Sequence, residues 1–259
     1  MNILFIGDIV GKGGREAVKR LVPELRREYN VDFCIANGEN MAGGNGMTRP
    51  LIDEFPAGTV DVFTAGDHTW DQKEFAGQID RITNALRPGN LNRRQPGRGW
   101  AVYQAPNGIS VGVINLLGRT FIGVPSECPF EAAERALAEI AGEAKVIIVD
   151  FHAEATSEKI AMGRFLDGRV SAVFGTHTHV PTADTTIFPG GTAFQCDAGM
   201  VGAEESVLGR HVQPVLERFT TGMPTRFTVN DEGVILNGIL VSVDTETGKA
   251  TAVERIARK

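Results

Sequence analysis

Short continuous runs of apolar and β-branched residues, each followed at once by polar groups, recur along this chain. Residues 2–6, 32–36, 60–64, 146–149 and 170–174 are four or five long and bounded by turn or helix signals, the pattern of strands buried on both faces. Between the first two, Ala17, Val18, Leu21, Val22 and Leu25 recur at helical spacing through about Glu28. A strand, helix, strand opening implies a parallel pair. Phe75, Ile79 and Ile82 mark another helix, and residues 131–141 an Ala-rich one. Three pairs of runs read as hairpins: 101–105 with 109–116, 185–188 with 192–195, and 226–229 with 234–243, each flanking a Gly-containing turn. Early parallel units followed by late hairpins predict an α/β fold of two mixed sheets packed face to face with helices outside. No linker and no internal repeat interrupts residues 1–259, so a single domain is expected.

Composition narrows the class. Apolar residues make up 42% and charged residues 22%, enough for a sizeable core and against disorder. The net charge of -6, with acidic and basic residues interspersed, argues against an electrostatic footprint for duplex nucleic acid. The local cluster Arg87, Arg93, Arg94, Arg98 reads as a solvated loop in preference to a phosphate-contact loop. Cys34, Cys128 and Cys196 have neither disulfide nor zinc spacing, which fits a reducing cytoplasm. No leader and no membrane-spanning run is expected.

The polar groups at strand ends carry the chemistry. Of the five histidines, His152, His177 and His179 follow the 146–149 and 170–174 runs, and His68 follows 60–64. Two residues apart at a strand end, His177 and His179 should point to the same side. Open α/β sheets place their sites at the carboxyl ends of strands. There Asp8, Glu39, Asn40, Asp67, His68, His152, His177 and His179 form a mixed oxygen and nitrogen ligand set too large for one ion. Two ions sharing Glu39 or Asp67 are expected, with iron, manganese or zinc favoured because no thiolate is present. Such a pair activates a bridging water as hydroxide and clamps a phosphoester, which makes phosphoester hydrolysis the natural reaction. His68 is nominated as proton donor to the leaving group, with Asp71 either orienting its ring or capping the following helix. Gly7 to Lys12 is one residue short of a P-loop, with Gly13 where Ser or Thr belongs, and the first strand–helix turn lacks the dinucleotide fingerprint. A regulatory cyclic-nucleotide- or RNA-binding protein with a metal site and little turnover is the rival, and His68 counts against it.

These residues resemble a known family. Asp8, then Gly38, Glu39 and Asn40, then Gly66, Asp67 and His68, then His152, then Gly175 to His179 are similar to the five ordered blocks of calcineurin-like metallophosphoesterases. Gly-Asp-Ile-Val-Gly, Asn-Gly-Glu-Asn and His-Thr-Trp-Asp resemble the bacterial YmdB-like subfamily. The resemblance spans essentially the whole chain. It implies a four-layer α/β/β/α sandwich and a di-iron or di-manganese phosphodiesterase of cyclic nucleotides, with cyclic AMP and 2′,3′-cyclic nucleotides as candidates and a homo-oligomer open. Carried over by position, Asp8, Glu39, Asn40 and His179 would hold one metal and Glu39, Asp67, His152 and His177 the other. Val10 stands where the superfamily has His, Glu39 where it has Asp, and Asp67 where both superfamily and subfamily have Asn.

Overall fold

The computed structural model describes residues 1–140 and 142–259; Ala141, the end of the expected 131–141 helix, lies outside them. Asn2–Ile6 (β1), Asp8–Ile9 (β2), Gly11–Glu28 (α1) and Phe33–Asn37 (β3) form the opening unit, and β1 and β3 pair in parallel. Arg49–Asp53 (α2) leads to Val62–Thr64 (β4), which pairs in parallel with β3. Trp100–Gln104 (β5) and Ser110–Leu117 (β6) make the first expected hairpin. Pro129–Ile140 (α3), Val146–His152 (β7), Thr156–Phe165 (α4) and Ala172–Thr176 (β8) follow, then the second hairpin, Thr186–Ile187 (β9) with Ala193–Gln195 (β10). Met200–Ala203 (β11), Val212–Thr221 (α5), Val234–Val243 (β12) and Ala250–Arg258 (β13) complete the chain. One sheet runs β2-β11-β12-β1-β3-β4 with β13 on β12, and the other β5-β6-β7-β8-β10-β9.

Strand periodicity builds the layers. Successive residues of a strand face opposite sides, so Leu4 and Ile6 pack on Val18, Leu21 and Leu25 of α1, while Ile3 and Phe5 face the other sheet. In β7, Val146 and Ile148 enter that inter-sheet core, and Ile147, Val149 and Phe151 meet Ala132, Ala136 and Met162 of the outer helices. The Phe5 and Phe174 rings bridge the two sheets with centroids 5.3 Å apart. The result is the α/β/β/α sandwich. Among the described residues no helix is long and apolar enough to cross a membrane.

Four local expectations are corrected. The first helix starts at Gly11, six residues before the apolar stripe that opens at Ala17, and Gly13 lies so close to the Asp231 backbone that a side chain there would strike it. Asp231 Oδ1 accepts the Gly13 N–H at 2.7 Å, so a carboxylate of the chain itself caps the terminus a phosphate loop would use. Phe75, Ile79 and Ile82 are buried as expected, yet they lie on two 3₁₀ turns, Phe75–Gly77 and Ile79–Arg81, since so short a run does not sustain an α-helix. The third hairpin joins β12 to β13, not to residues 226–229. Its turn is set by Asp244, whose Oδ1 accepts the Glu246 N–H at 2.8 Å. Arg87 is buried and not solvated, donating to the carbonyls of Pro88, Gln95 and Pro96 and so clasping its own loop.

One buried ion pair joins α4 to the end of β10. Lys159 and Asp197 are each 1% exposed, with Nζ 2.8 Å from Oδ2. Asp197 also accepts the Thr178 N–H at 2.9 Å, the Thr178 O–H at 2.7 Å and the Gly199 N–H at 2.8 Å. Lys159→Met should lower unfolding free energy by about 3–5 kcal/mol, the usual penalty for stranding one half of a buried pair. Denaturant unfolding checks it, and a loss under about 1 kcal/mol would show that Thr178 and Gly199 hold Asp197 without the lysine.

Candidate metal centre

Every polar group singled out at a strand end converges on one edge of the two sheets. The carboxylates and amide come from the first sheet: Asp8 on β2, Glu39 and Asn40 after β3, Asp67 after β4. The imidazoles come from the second: His152 ends β7, and His177 and His179 follow β8. His177 and His179 do not share a side by strand alternation as expected. Both sit beyond the strand with φ of 101° and 66°, a conformation that costs a non-glycine residue of order 1–3 kcal/mol. Asp197, holding Thr178 between them, and the Asp8 Oδ2 acceptor 3.1 Å from the His177 N–H keep the turn in place.

Glu39, Asp67, His152 and His177 each present a ligand atom, all within 4.8 Å of one another, so this group could hold a metal ion. Their contacts fit a shared cation. Ligands about 2.1 Å from one ion stand about 3.0 Å apart at right angles and about 3.4 Å apart in a tetrahedron. His152 Nε2 lies 3.0 Å from Glu39 Oε1, 3.1 Å from Asp67 Oδ1 and 3.0 Å from His177 Nδ1, which is 3.4 Å from Asp67 Oδ1. On the other flank of Glu39, the Asn40 amide is 3.2 Å from Glu39 Oε1, 3.4 Å from Asp8 Oδ1 and 3.3 Å from His179 Nε2. Gly66 permits this closeness: a side chain there would land on Glu39 Oε2 and the His152 ring.

The charge balance also calls for cations. Among the described residues no lysine or arginine pairs with Asp8, Glu39 or Asp67; their only basic neighbours are histidines. Burial pushes the Asp8 carboxyl well above the usual range, and Glu39 and Asp197 add to the rise. Burial alone would depress His152, but Glu39, Asp67 and Asp8 overcome it and hold its pKa well above the ordinary value. Burial opposes ionisation of Asp67 too, yet hydrogen bonds with His152 and His177 keep it well below the usual carboxylate range. At His179 burial outweighs Glu39, Asp197 and the Leu208 carbonyl and lowers the ring to about 4, which favours the neutral form a metal requires.

A surrounding set of polar residues orients these groups, and sequence reasoning missed most of it. Thr176 Oγ1 lies 2.8 Å from His152 Nδ1 and donates to buried Asp150 at 2.7 Å, while Asn37 also donates to Asp150 at 3.0 Å. Glu154 is 3.1 Å from His177 Nε2, and the Leu208 carbonyl is 3.3 Å from His179 Nδ1. Such partners fix which ring nitrogen faces inward. Asp150 was findable as the one carboxylate inside the apolar run 146–151. His68 sits beside this set, its N–H 3.3 Å from Glu39 Oε2 and its Nδ1 2.8 Å from Asp71 Oδ2. Of the two roles open for Asp71, the structure places it on the ring; the residue preceding the next turn is Glu74. Asn45 bridges Asp71, at 3.1 Å, to the Arg210 guanidinium, at 2.8 Å. The whole opens into a cavity of about 440 Å³ whose lining joins polar residues, among them Asn40, His68 and His179, with the apolar Leu208, Phe219 and Phe227.

Likeness to known proteins runs through the whole chain. It is 46% identical to the 2′,3′-cyclic-nucleotide 2′-phosphodiesterase of Bacillus subtilis (strain 168), over 99% of this chain and 96% of that protein. A hypothetical protein from Thermus thermophilus superposes with a TM-score of 0.91 at 38% identity, covering 100% of this chain and 99% of the other. A novel phosphatase from Mycoplasma pneumoniae superposes with a TM-score of 0.90 at 34% identity, covering 100% and 93%. The model of the YmdB-like protein family matches residues 4–256, and the chain belongs to that family.

Proposed function

We propose that this metal-dependent phosphoesterase hydrolyses cyclic nucleotides, 2′,3′-cyclic nucleotides foremost, at a centre of two divalent ions. The observation that carries the proposal is the position of Glu39 between two ligand groups, Asp8, Asn40 and His179 on one flank and Asp67, His152 and His177 on the other. The relative from Bacillus subtilis, named a 2′,3′-cyclic-nucleotide 2′-phosphodiesterase, supports the substrate class. Iron or manganese suits a set of carboxylates, imidazoles and one amide. When bound, two such ions supply a water of lowered pKa and draw charge from the phosphoryl oxygens.

The remaining steps belong to side chains. Neutral His179, with its Nδ1 turned to the Leu208 carbonyl, offers Nε2 inward, and a half-turn of the Asn40 amide presents Oδ1 to the same place. His68 is not needed as a ligand. Its Nδ1 faces the Asp71 carboxylate, an arrangement that orients the ring and leaves Nε2 to deliver a proton to the departing ribose oxygen. The rival, a protein that binds cyclic nucleotides without turning them over, gives that pair no task.

Three tests follow from the geometry. Removal of metal by a chelator should abolish turnover of a cyclic-nucleotide panel, with Mn²⁺ or Fe²⁺ restoring it; full activity of metal-free protein would refute the metal requirement. His68→Ala should retain both metals and lose roughly 10²- to 10⁴-fold in rate, less with a p-nitrophenol leaving group, which leaves without help. Loss of a metal from that variant would make His68 a ligand. Asp67→Asn removes one negative charge from a site already holding Asp8 and Glu39. It should bind the second metal more weakly and, at saturating metal, turn over diesters at least as fast, because the substrate is an anion and the ions keep more Lewis acidity. Calorimetric metal titration decides it, unchanged affinity counting against the charge effect.

A further inference from the structure

α5 is amphipathic but has little core to cover. Val212, Val215, Leu216 and Phe219 fall on one stripe at helical spacing, and of these only Val215 is buried. The Phe219 ring is 80% exposed, and Phe227, beyond the end of the helix, is 40% exposed. Singly exposed apolar side chains are ordinary, whereas contiguous apolar patches mark interaction or ligand sites. These two are not scattered surface residues: both line the cavity that also contains Asn40, His68 and His179.

We infer that Phe219 and Phe227 form the nucleobase subsite of this centre, a stacking surface in the same cavity as the groups that would bind the phosphate. The inference rests on the cyclic-nucleotide reading and adds to it the residues that recognise the nucleoside. Three observations carry it. The cavity, about 440 Å³, is of the size that holds small ligands, about 300–1,000 Å³, so phosphate and base fit in one volume. Its lining combines the two chemistries a nucleotide needs, carboxylates and imidazoles for a phosphate centre and phenyl rings with Leu208 and Val215 for a base. The arginine that lines the cavity, Arg210, already donates to the Gly44 carbonyl at 2.9 Å and to Asn45 Oδ1 at 2.8 Å, which leaves little to read the edge of a base. A wall of phenyl rings accepts any base by its face, so the subsite should distinguish nucleoside from no nucleoside and rank purines modestly above pyrimidines.

The test compares adenosine 2′,3′-cyclic phosphate with methyl riboside 2′,3′-cyclic phosphate, which carries the same ester and no base. The wild-type ratio of kcat/KM, nucleotide over riboside, should fall about tenfold in Phe219→Ala and in Phe227→Ala, mainly through KM, and return in Phe219→Trp. Equal losses on both substrates, or an unchanged ratio, would overturn the inference. An unchanged ratio together with a lower molar mass in sedimentation would overturn it in favour of a contact between copies of this chain along the apolar stripe. If the wild-type protein cleaves neither ester, the proposed activity fails but the subsite remains testable by calorimetric titration with adenosine monophosphate against ribose phosphate. A roughly tenfold advantage for the nucleotide that Phe219→Ala abolishes supports it, and equal affinities overturn it.

Discussion

The candidate metal-ligand groups exist as one site only because two sheets pack face to face. Asp8, Glu39, Asn40 and Asp67 belong to one sheet and His152, His177 and His179 to the other. Neither sheet alone brings the carboxylates of Asp8, Glu39 and Asp67 together with the imidazoles of His152, His177 and His179, the mixed oxygen and nitrogen set that a borderline metal prefers. Packing of Phe5 on Phe174, with Ile3, Ile35, Val113 and Ile148 around them, therefore sets the distance between the two halves of the centre. Interiors pack densely and transmit strain, so a cavity made in this layer is felt at the strand ends before it is felt at the outer helices.

The inter-sheet core becomes polar as it approaches that edge. Asn37, Thr64, Asp150 and Thr176 stand at or near the ends of four neighbouring strands and bond to one another, which satisfies groups that would be costly buried alone. Burial pushes Asp150 above the usual carboxylate range even with these donors. Asp197 solves the same problem differently, through Lys159, and in doing so restrains Thr178 between two histidines in an unfavourable backbone conformation. Stability spent on burying polar groups is here linked, contact by contact, to the direction in which imidazoles point.

Legibility in the sequence follows the range of the interactions. Strands buried on both faces leave continuous apolar runs, and the polar residue that ends each run is visible for the same reason, which is how Asp8, Glu39, Asp67 and His152 were found. β13 was not found because it lies at an edge, where Glu254, Arg255 and Arg258 break the apolar pattern. The left-handed backbone of His177 and His179 leaves no trace in residue types, since glycine would be the ordinary choice there. Lys159 and Asp197 lie 38 residues apart and only the stacking of α4 on its sheet brings them together. Asn45, hidden in a run of glycines, gains its partner Arg210 from 165 residues further along.

Chemistry and recognition are then held by different kinds of structure. Glu39, Asn40, His152, His177 and His179 stand on or beside β3, β7 and β8, each paired along both edges, while Asp8 and Asp67 belong to β2 and β4 at the two ends of their sheet; about half an ångström matters at such positions, and strand pairing supplies rigidity to the first group. The apolar wall stands on α5 and the segment after it, tied to the body by buried Val215 and by a short pairing of Arg210 with Val229. Loops and lightly anchored helices tolerate replacement better than strand ends. On the proposed reading, a change of Phe219 on α5 or of Phe227 beyond it should therefore alter which esters enter the cavity, while a change at Glu39 or His152 should remove the reaction itself.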